Sequence, residues 1–454
     1  MKNLIDLQDL YLQSPPIIKR VLANVEAIRR NRYRKFGPYK KLLAEAINKD
    51  IISNSIDQTV LLEKLNILVN CAYQKGLYDS NKIPKVIHSL KDFHSIPILN
   101  KTTYKQYGDI FKSRSYKNLY KGRTSGSTGT PLTFFVDRNS IRASRLYYEA
   151  FLNKIGCVTT DRSVRFSGVK VTPFSKLNPP FWVYIDYYRQ LQCSSFHIME
   201  STVPYYIDAM KKYKVTYGTG YPTAWLFLAQ LIDKLGIKPP NLKAIVTDSE
   251  GISGIEQKYI EKIFNCNVYQ TYGLGEVNMF SVMCREGHYH IFEDNVYVEI
   301  VNENNQPVSP GIEGNIIVTD LNSHGFPIIR YNTGDIGSIG TSICQCGLRT
   351  KYLEKVVGRV DDYIITKDGR KLGRLSHIMK PAKGVLISQI VQIDKDNIEI
   401  RIVPDKGFEE KSMDIVIRNA KNYIGDINIS YTTKHDLERT QNGKVRYVIR
   451  KFDN

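Results

Sequence analysis

A chain of 454 residues exceeds what one hydrophobic core usually supports, so at least two domains are expected. Its 42% hydrophobic and 24% charged residues are ordinary for soluble globular protein, and no uninterrupted apolar run approaches the ~20 residues that a membrane span needs. A net charge of +19 favours anionic ligands without naming one, and seven cysteines, an odd count, argue against a complete disulfide framework and fit a reducing cytoplasm.

The opening Met1-Lys2-Asn3-Leu4-Ile5-Asp6 lacks the apolar core of a signal peptide, which agrees with a cytoplasmic protein. Residues 1–80 read as mostly helical, with apolar spacing at Ile56, Val60, Leu61, Leu65 and Leu68 and few Gly or Pro breakers. Within them Arg29-Arg30-Asn31-Arg32-Tyr33-Arg34-Lys35-Phe36-Gly37-Pro38-Tyr39-Lys40-Lys41 interleaves bases with aromatics and holds no acid. It reads as a solvated helix face and turn; the functional alternative is contact with an anionic membrane surface or with nucleic acid, of which the peripheral membrane contact is favoured and no nucleic-acid partner is expected.

Thr124-Ser125-Gly126-Ser127-Thr128-Gly129-Thr130-Pro131 is the densest local signal. Glycines let successive backbone N–H groups converge on an anion, and the hydroxyls add donors, so the loop suits phosphate oxygens. A Walker A loop needs Gly-Lys-[Ser/Thr] opening a helix, whereas Thr130-Pro131 follows Gly129 here. An ordinary Ser/Gly linker is the alternative.

Further along, Leu242–Thr247 and Asn315–Thr319 read as strands, and Pro204 opens a helix in its first turn. Such alternation implies α/β layers with buried sheets. The Phe- and Tyr-rich stretch from Val164 to Trp225 could line a substrate pocket and equally describes an ordinary core. Cys284 and His290, with His288 adjacent, followed by Cys344-Gln345-Cys346-Gly347, could form a closed tetrahedral structural Zn²⁺ site; four unrelated side chains are the alternative. Cys71, Cys157, Cys193 and Cys266 have no recognisable spacing and read as small core hydrophobes. Toward the end, Ile398–Val403 is strand-like and Ser412–Ile424 helical, enough for a small α+β domain.

Four segments follow the glycine-rich loop in order: Thr271-Tyr272-Gly273-Leu274-Gly275-Glu276, Arg330-Tyr331-Asn332-Thr333-Gly334-Asp335, Gly358-Arg359-Val360-Asp361-Asp362 and Asn442-Gly443-Lys444. The series resembles the adenylate-forming (acyl-CoA synthetase-like) superfamily, within it the phenylacetate-CoA ligase branch and its CapK-like capsule-biosynthesis relatives. Ile96-Pro97-Ile98-Leu99-Asn100-Lys101 and Gly220-Tyr221-Pro222-Thr223 are weaker matches to that branch. The Cys-x-Cys-Gly and Gly-x-x-His segments also resemble features of some zinc-carrying phenylacetate-CoA ligase relatives. The resemblance spans roughly residues 85 to 450 and draws its specificity from ordered co-occurrence.

The resemblance implies a large multi-layer α/β N-terminal adenylation domain, residues 1–360, and a small α+β C-terminal lid domain, residues 361–454, hinged near Asp361. It also implies ATP and Mg²⁺ as cofactors. Thr124, Ser125, Gly126, Ser127, Thr128 and Gly129 would hold the β- and γ-phosphates. Glu276 would reach magnesium, a cation that prefers carboxylate and water ligands. Tyr272 would pack against adenine, with Ser249 and Glu250 where relatives line the adenine pocket, although these could equally be structural. Asp335 would accept from the ribose hydroxyls and Arg359 would assist at ribose or phosphate. Lys444 would bridge the substrate carboxylate and the α-phosphate. One departure stands out: most relatives carry a hydroxyl residue where this chain has Gly275, so an α-phosphate contact is missing or comes from elsewhere, for example Thr271.

The implied activity is AMP-forming activation of a carboxylic acid to an acyl-adenylate, followed by transfer to CoA or to an amine, for example on a capsule or surface sugar, by a monomer or homodimer. The alternative is a catalytically weak, zinc-stabilised binding protein that kept the fold. Gly275 is its only support, and Glu276, Asp335 and Lys444 speak against it.

Overall fold

The computed structural model describes residues 7–76, 78, 83–112, 119–123, 133–158, 160–173, 176, 178–249, 252, 254–357, 364–367, 371–372, 375, 378–379, 381–404, 407–435, 437 and 448–452. The chain divides into two compact units. One comprises Met1–Gly122 and Phe134–Gly358; the other contains Arg359–Asn454.

The first unit opens with α1 (Leu7–Gln13), α2 (Pro16–Arg34), α3 (Tyr39–Asn48) and α4 (Gln58–Lys75). Asp57 caps α4 by accepting from the Thr59 and Val60 N–H groups, and Gly76 ends it at φ +60°. The stripe α4 buries is Leu61, Leu65, Leu68, Val69 and Ala72. Val60, expected on that stripe, is exposed, since Leu61 holds the inward position of the first turn. Short α5 (Leu90–His94) and α6 (Lys101–Lys112) follow. β1 (Leu119–Arg123) and β2 (Thr133–Asp137) pair as a two-stranded sheet, and β2 leads into α7 (Arg138–Lys154), whose Asn139 N–H is capped by Asp137.

Part of the basic run at the end of α2 is packed rather than solvated. Lys35 and Arg145 both pair with the buried carboxylate of Glu149 at 2.7 Å, and Tyr39 is buried beside them. The Arg138 and Arg142 guanidiniums lie over the Phe36 ring at 4.0 and 4.2 Å.

The remaining elements build one sheet. In chain order they are β3 (Ser163–Ser167), β4 (Trp182–Ile185), β5 (Gln190–Ser194), α8 (Val203–Lys212), β6 (Tyr217–Gly220), α9 (Pro222–Leu235), β7 (Ala244–Thr247), α10 (Gly254–Phe264), β8 (Asn267–Leu274), β9 (Asn278–Met283), β10 (Tyr289–Ile291), β11 (Val296–Val301), β12 (Gly314–Asp320), β13 (Tyr331–Ile339) and β14 (Tyr352–Val357). Twelve strands pair in the order β11-β12-β13-β14-β10-β9-β8-β7-β6-β3-β5-β4. From β5 to β8 the pairing is parallel, with α8, α9 and α10 as crossovers, so β6 and β7 are buried at every residue.

Phe166, Phe181, Cys193, Tyr206 and Trp225 pack together in the core beneath this half. Of the aromatics in Val164–Trp225, Phe166, Phe181, Tyr206 and Trp225 serve as core, with Trp225 edge-on to Phe166 and Phe264 at 5.1 and 5.2 Å, whereas Tyr187 and Tyr205 are exposed. Cys157 and Cys193 are fully buried, whereas Cys71 and Cys266 are only half-buried, short of the core position expected of them.

The second unit is α+β. β15 (Ile364–Ile365) pairs with β16 (Lys371–Leu372). β17 (Val385–Gln392), β18 (Asn397–Pro404), α11 (Lys411–Ile424), β19 (Asn428–Thr433) and β20 (Val448–Arg450) follow, with the four strands ordered β19-β18-β17-β20. Ile398, Ile400 and Ile402 alternate inward along β18 and share a core with Met413, Val416, Ala420 and Ile424 of α11. Among the described residues, no helix is long and apolar enough to cross a membrane.

Candidate active site and cysteine-histidine cluster

Ligands of open α/β sheets bind beyond the carboxyl ends of the parallel strands. β8 runs past that edge: Asn267–Gln270 pair in parallel with β7, whereas Thr271–Leu274 pair antiparallel with β9. The Thr271–Glu276 motif thus lies where one sheet half gives way to the other. Three strands separate β13 from β8, yet the Tyr272 hydroxyl donates to Asp335 Oδ2 at 2.7 Å and the Tyr331 hydroxyl donates to Glu276 Oε1 at 3.1 Å. The intervening strands therefore coil until the side chains of β8 and β13 meet.

Tyr331, Thr333 and Asp335 lie on one face of β13 by the two-residue repeat, and all three are buried. The Thr333 hydroxyl donates to the Ile316 carbonyl at 2.9 Å and accepts the Asp335 N–H at 3.0 Å, while the Gly334 N–H reaches Asn332 Oδ1 at 2.8 Å. The Asp335 carboxylate accordingly rides on a fixed turn. Glu276 is 3% exposed, and its partner Tyr331 packs edge-on to the buried ring of Tyr104 at 5.6 Å.

A buried ion pair anchors the start of β13. Arg330, 2% exposed and at φ +49°, places Nε 3.2 Å from Glu299 Oε2 and Nη2 3.0 Å from Oε1. Its Nη1 donates to the carbonyls of His94 and Ile96. Burial pushes the Glu299 carboxyl up to about 7 against the pull of Arg330, and burial together with that cation brings His94 down to about 4. The Ile96–Lys101 motif joins here as well, since Leu99 accepts the Asn332 N–H and donates its own N–H to the Arg330 carbonyl, each at 2.9 Å.

Thr271 donates its hydroxyl to the Thr247 carbonyl at 3.0 Å and so ties β8 to β7. Ser249 is exposed at φ +75° and donates to Asp248 Oδ1 at 2.8 Å; Asp248 is in turn gripped by Arg165 at 2.7 and 3.0 Å. Gly275 has a steric cause. A Cβ there would come within 3.0 Å of the Phe134 ring, and a Cβ on Gly122 would come within 2.2 Å of the same ring, so two glycines form a slot for Phe134. Residues 124–131, Glu250, Arg359, Asp361 and residues 442–444, Lys444 included, lie outside the described residues.

The structure thus brings Tyr272 to Asp335 and Glu276 to Tyr331, while the Thr271 hydroxyl is spent on the Thr247 carbonyl. Tyr331 and Arg330 stood inside a recognised motif without an assigned role. Arg165, Glu299 and Phe134 carried no local signal, because their partners lie far along the chain.

The cysteine-histidine cluster assembles at a different edge. Ligand atoms of Cys284, His290, Cys344 and Cys346 all lie within 4.8 Å of one another. Cys284 Sγ is 3.7 Å from Cys344 Sγ, close to the edge of about 3.8 Å that a tetrahedron with Zn–S bonds of about 2.3 Å requires. His290 Nε2 is 3.2 Å from Cys346 Sγ, and its Nδ1 is 2.9 Å from Thr350 Oγ1, an arrangement that leaves Nε2 to face the sulfurs. His288 Nδ1 also reaches Cys344 Sγ at 3.2 Å, and its ring stacks on Tyr352. Burial brings His290 down to about 4, keeping it the neutral imidazole a metal needs, and burial pushes the Cys346 thiol up to about 12. Three thiols and one imidazole fit a closed structural zinc site, with no donor position left open for chemistry.

A family model described as the CapK C-terminal domain matches residues 364–451. Protein CapK of Staphylococcus aureus is 23% identical over 84% of this chain and 85% of its own length. The phenylacetate-coenzyme A ligase of Thermus thermophilus is 28% identical but aligns with only 31% of this chain and 33% of its own. Among solved structures, a 2-hydroxyisobutyryl-CoA ligase in the postadenylation state superposes with a TM-score of 0.55 at 16% identity, over 93% of this chain and 92% of that one, a likeness of fold. With the ordered motifs and the buried carboxylates beside the change in sheet direction, the similarity to CapK and to the phenylacetate-coenzyme A ligases supports an adenylate-forming ligase of the CapK and phenylacetate-coenzyme A ligase branch.

Proposed function

We propose that the protein activates a carboxylic acid with ATP in two half-reactions. A carboxylate oxygen attacks the α-phosphorus, the bond to pyrophosphate breaks, and an acyl-adenylate forms. The sulfur of CoA then attacks the acyl carbon and AMP departs. The observation that carries this reading is the pair of buried carboxylates, Glu276 and Asp335, each accepting a tyrosine hydroxyl from the facing strand. Both are acceptors held in place before any ligand arrives, as electrostatic catalysis demands.

In this reading Asp335 accepts from the ribose hydroxyls and Tyr272 flanks the adenine. Ser249, Glu250 and Thr271 border the nucleotide pocket, Thr124–Gly129 cradle the β- and γ-phosphates, and Arg359 and Lys444 supply cations. Glu276 would hold Mg²⁺, which when bound neutralises phosphate charge. A role in capsule or surface polysaccharide assembly, with an amine in place of CoA as acceptor, rests on the resemblance to CapK. We further propose that Cys284, His290, Cys344 and Cys346 hold a structural Zn²⁺.

The test is ATP–pyrophosphate exchange across a panel of carboxylic acids, followed by addition of CoA or amines to the active acid. At least one acid should support exchange, and Glu276→Gln should lower it by roughly 10²-fold, the scale of one preorganised contact. A folded protein that exchanges with no acid would favour the binding-protein alternative.

A further inference from the structure

Helix α2 is turned inside out. Its inward side carries Ala27 and the stem of Lys19, both buried, while Ile17, Ile18, Val21, Leu22, Val25 and Ile28 face outward. Ile17, Val21 and Val25, one turn apart, are 78%, 57% and 59% exposed. A helix that buried its apolar stripe would place these residues against the core.

Polar contacts along the other side hold the helix in this orientation. Asp186 accepts from Arg20 and from Asn24 Nδ2, the latter at 2.9 Å, and Asn24 Oδ1 accepts the Tyr187 N–H at 2.9 Å. Asn31 donates to the Tyr187 hydroxyl at 2.7 Å, and the Tyr188 hydroxyl donates to the Ala27 carbonyl at 2.9 Å. The outward stripe is therefore part of a specified docking and not a frayed helix. A contiguous exposed apolar ridge marks an interaction surface.

Charge selects its occupant. Between Pro16 and Lys41 the chain has nine basic residues and one acid, Glu26, which pairs with both Arg29 and Arg30; Arg20 is held by Asp186, Lys35 by Glu149, and Lys19 is buried on the inward side. Arg32 lies on the outward side of the last turn, in line with the stripe, and is exposed like Lys40 and Lys41 beyond it. Two copies packed ridge to ridge would bring no free acid to these bases in either orientation, since Glu26 is already paired, whereas an anionic bilayer offers both hydrocarbon for the ridge and negative charge for its rim. We propose that α2 is a preformed membrane-docking ridge that lies flat on an anionic lipid surface, its aliphatic side chains entering the headgroup boundary. This site is separate from the adenylation chemistry and stands whether or not that reading holds.

The full chain should float with vesicles of phosphatidylglycerol and phosphatidylcholine in equal parts at low salt, and much less with phosphatidylcholine alone. Ile17→Gln/Val21→Gln/Val25→Gln should weaken vesicle binding at least about tenfold while leaving the melting temperature unchanged, because the three side chains are already in water. Arg32→Gln/Lys40→Gln should weaken only the anionic-vesicle binding and reduce its salt dependence. Three results would overturn the proposal: wild-type protein that ignores anionic vesicles, equal flotation of the triple Gln variant, or a wild-type dimer in sedimentation equilibrium that the triple variant dissociates. The last would make the ridge a seam between two copies.

Discussion

At the scale of single residues, the departure at Gly275 has a cause that no motif comparison would show. Phe134 occupies a slot floored by Gly122 and Gly275, so a hydroxyl side chain at 275 requires the aromatic ring to shift against Gly122 on its other side. Gly275→Ser should therefore destabilise the protein by about 1–3 kcal/mol, the usual cost of overpacking, as read by urea denaturation. Phe134→Leu in the same chain should recover part of that loss. Wild-type stability for Gly275→Ser would mean that the ring yields and that the glycine has another explanation. The same scale shows why Glu276 and Asp335 were legible and their supports were not. A carboxylate in an ordered motif announces itself, whereas Glu299, buried with Arg330 beneath the Tyr331–Asp335 segment, looks in sequence like any strand acid.

Among the elements, the four metal-type donors converge because of strand order. Cys284 precedes a reversal between β9 and β10 in which Gly287 takes φ +81°, and Cys344 and Cys346 stand in the β13–β14 connection, where Gly347 takes φ +88°. β14 pairs with both β13 and β10, Tyr352 lying opposite His290, so two turns distant in sequence become neighbours. The spacing alone allowed either a metal site or four unrelated side chains; the pairing of β10 with β14 decides that they meet. Purified protein should carry close to one equivalent of zinc by elemental analysis, and Cys344→Ser/Cys346→Ser should abolish it and lower the melting temperature. Metal-free protein that melts at the same temperature would overturn the zinc proposal.

For the whole molecule, the proposed division of labour places a hinge at Asp361 and the catalytic cation at Lys444. If the C-terminal unit is a lid, Lys444 acts only while the acyl-adenylate forms. Lys444→Ala should then lose pyrophosphate exchange by roughly 10²–10³-fold yet still transfer acyl from a supplied adenylate. Asp361→Pro, by fixing φ at the pivot, should exchange normally and fail at transfer. Near-wild-type exchange by Lys444→Ala would remove both the lysine and the lid from the mechanism.

Much of this architecture was legible because it is periodic or ordered. The helical N-terminal stretch, the strands at Ala244–Thr247 and Gly314–Asp320, the alternation along Asn397–Pro404 and the motif series all follow from local patterns that any chain with these residues would carry. Tertiary structure alone decided what each pattern faces. Periodicity marks Ile17, Val21 and Val25 as one stripe, but only the contacts of Asn24, Asn31 and Ala27 with Tyr187 and Tyr188 turn that stripe outward. Aromatic content in Val164–Trp225 allowed pocket or core, and mutual packing places Phe166, Tyr206 and Trp225 in the core. The pairing of Tyr272 with Asp335 and of Tyr331 with Glu276 depends on how far a sheet coils across three intervening strands. That curvature is the sum of many non-local packing contacts, and no short window of sequence contains it.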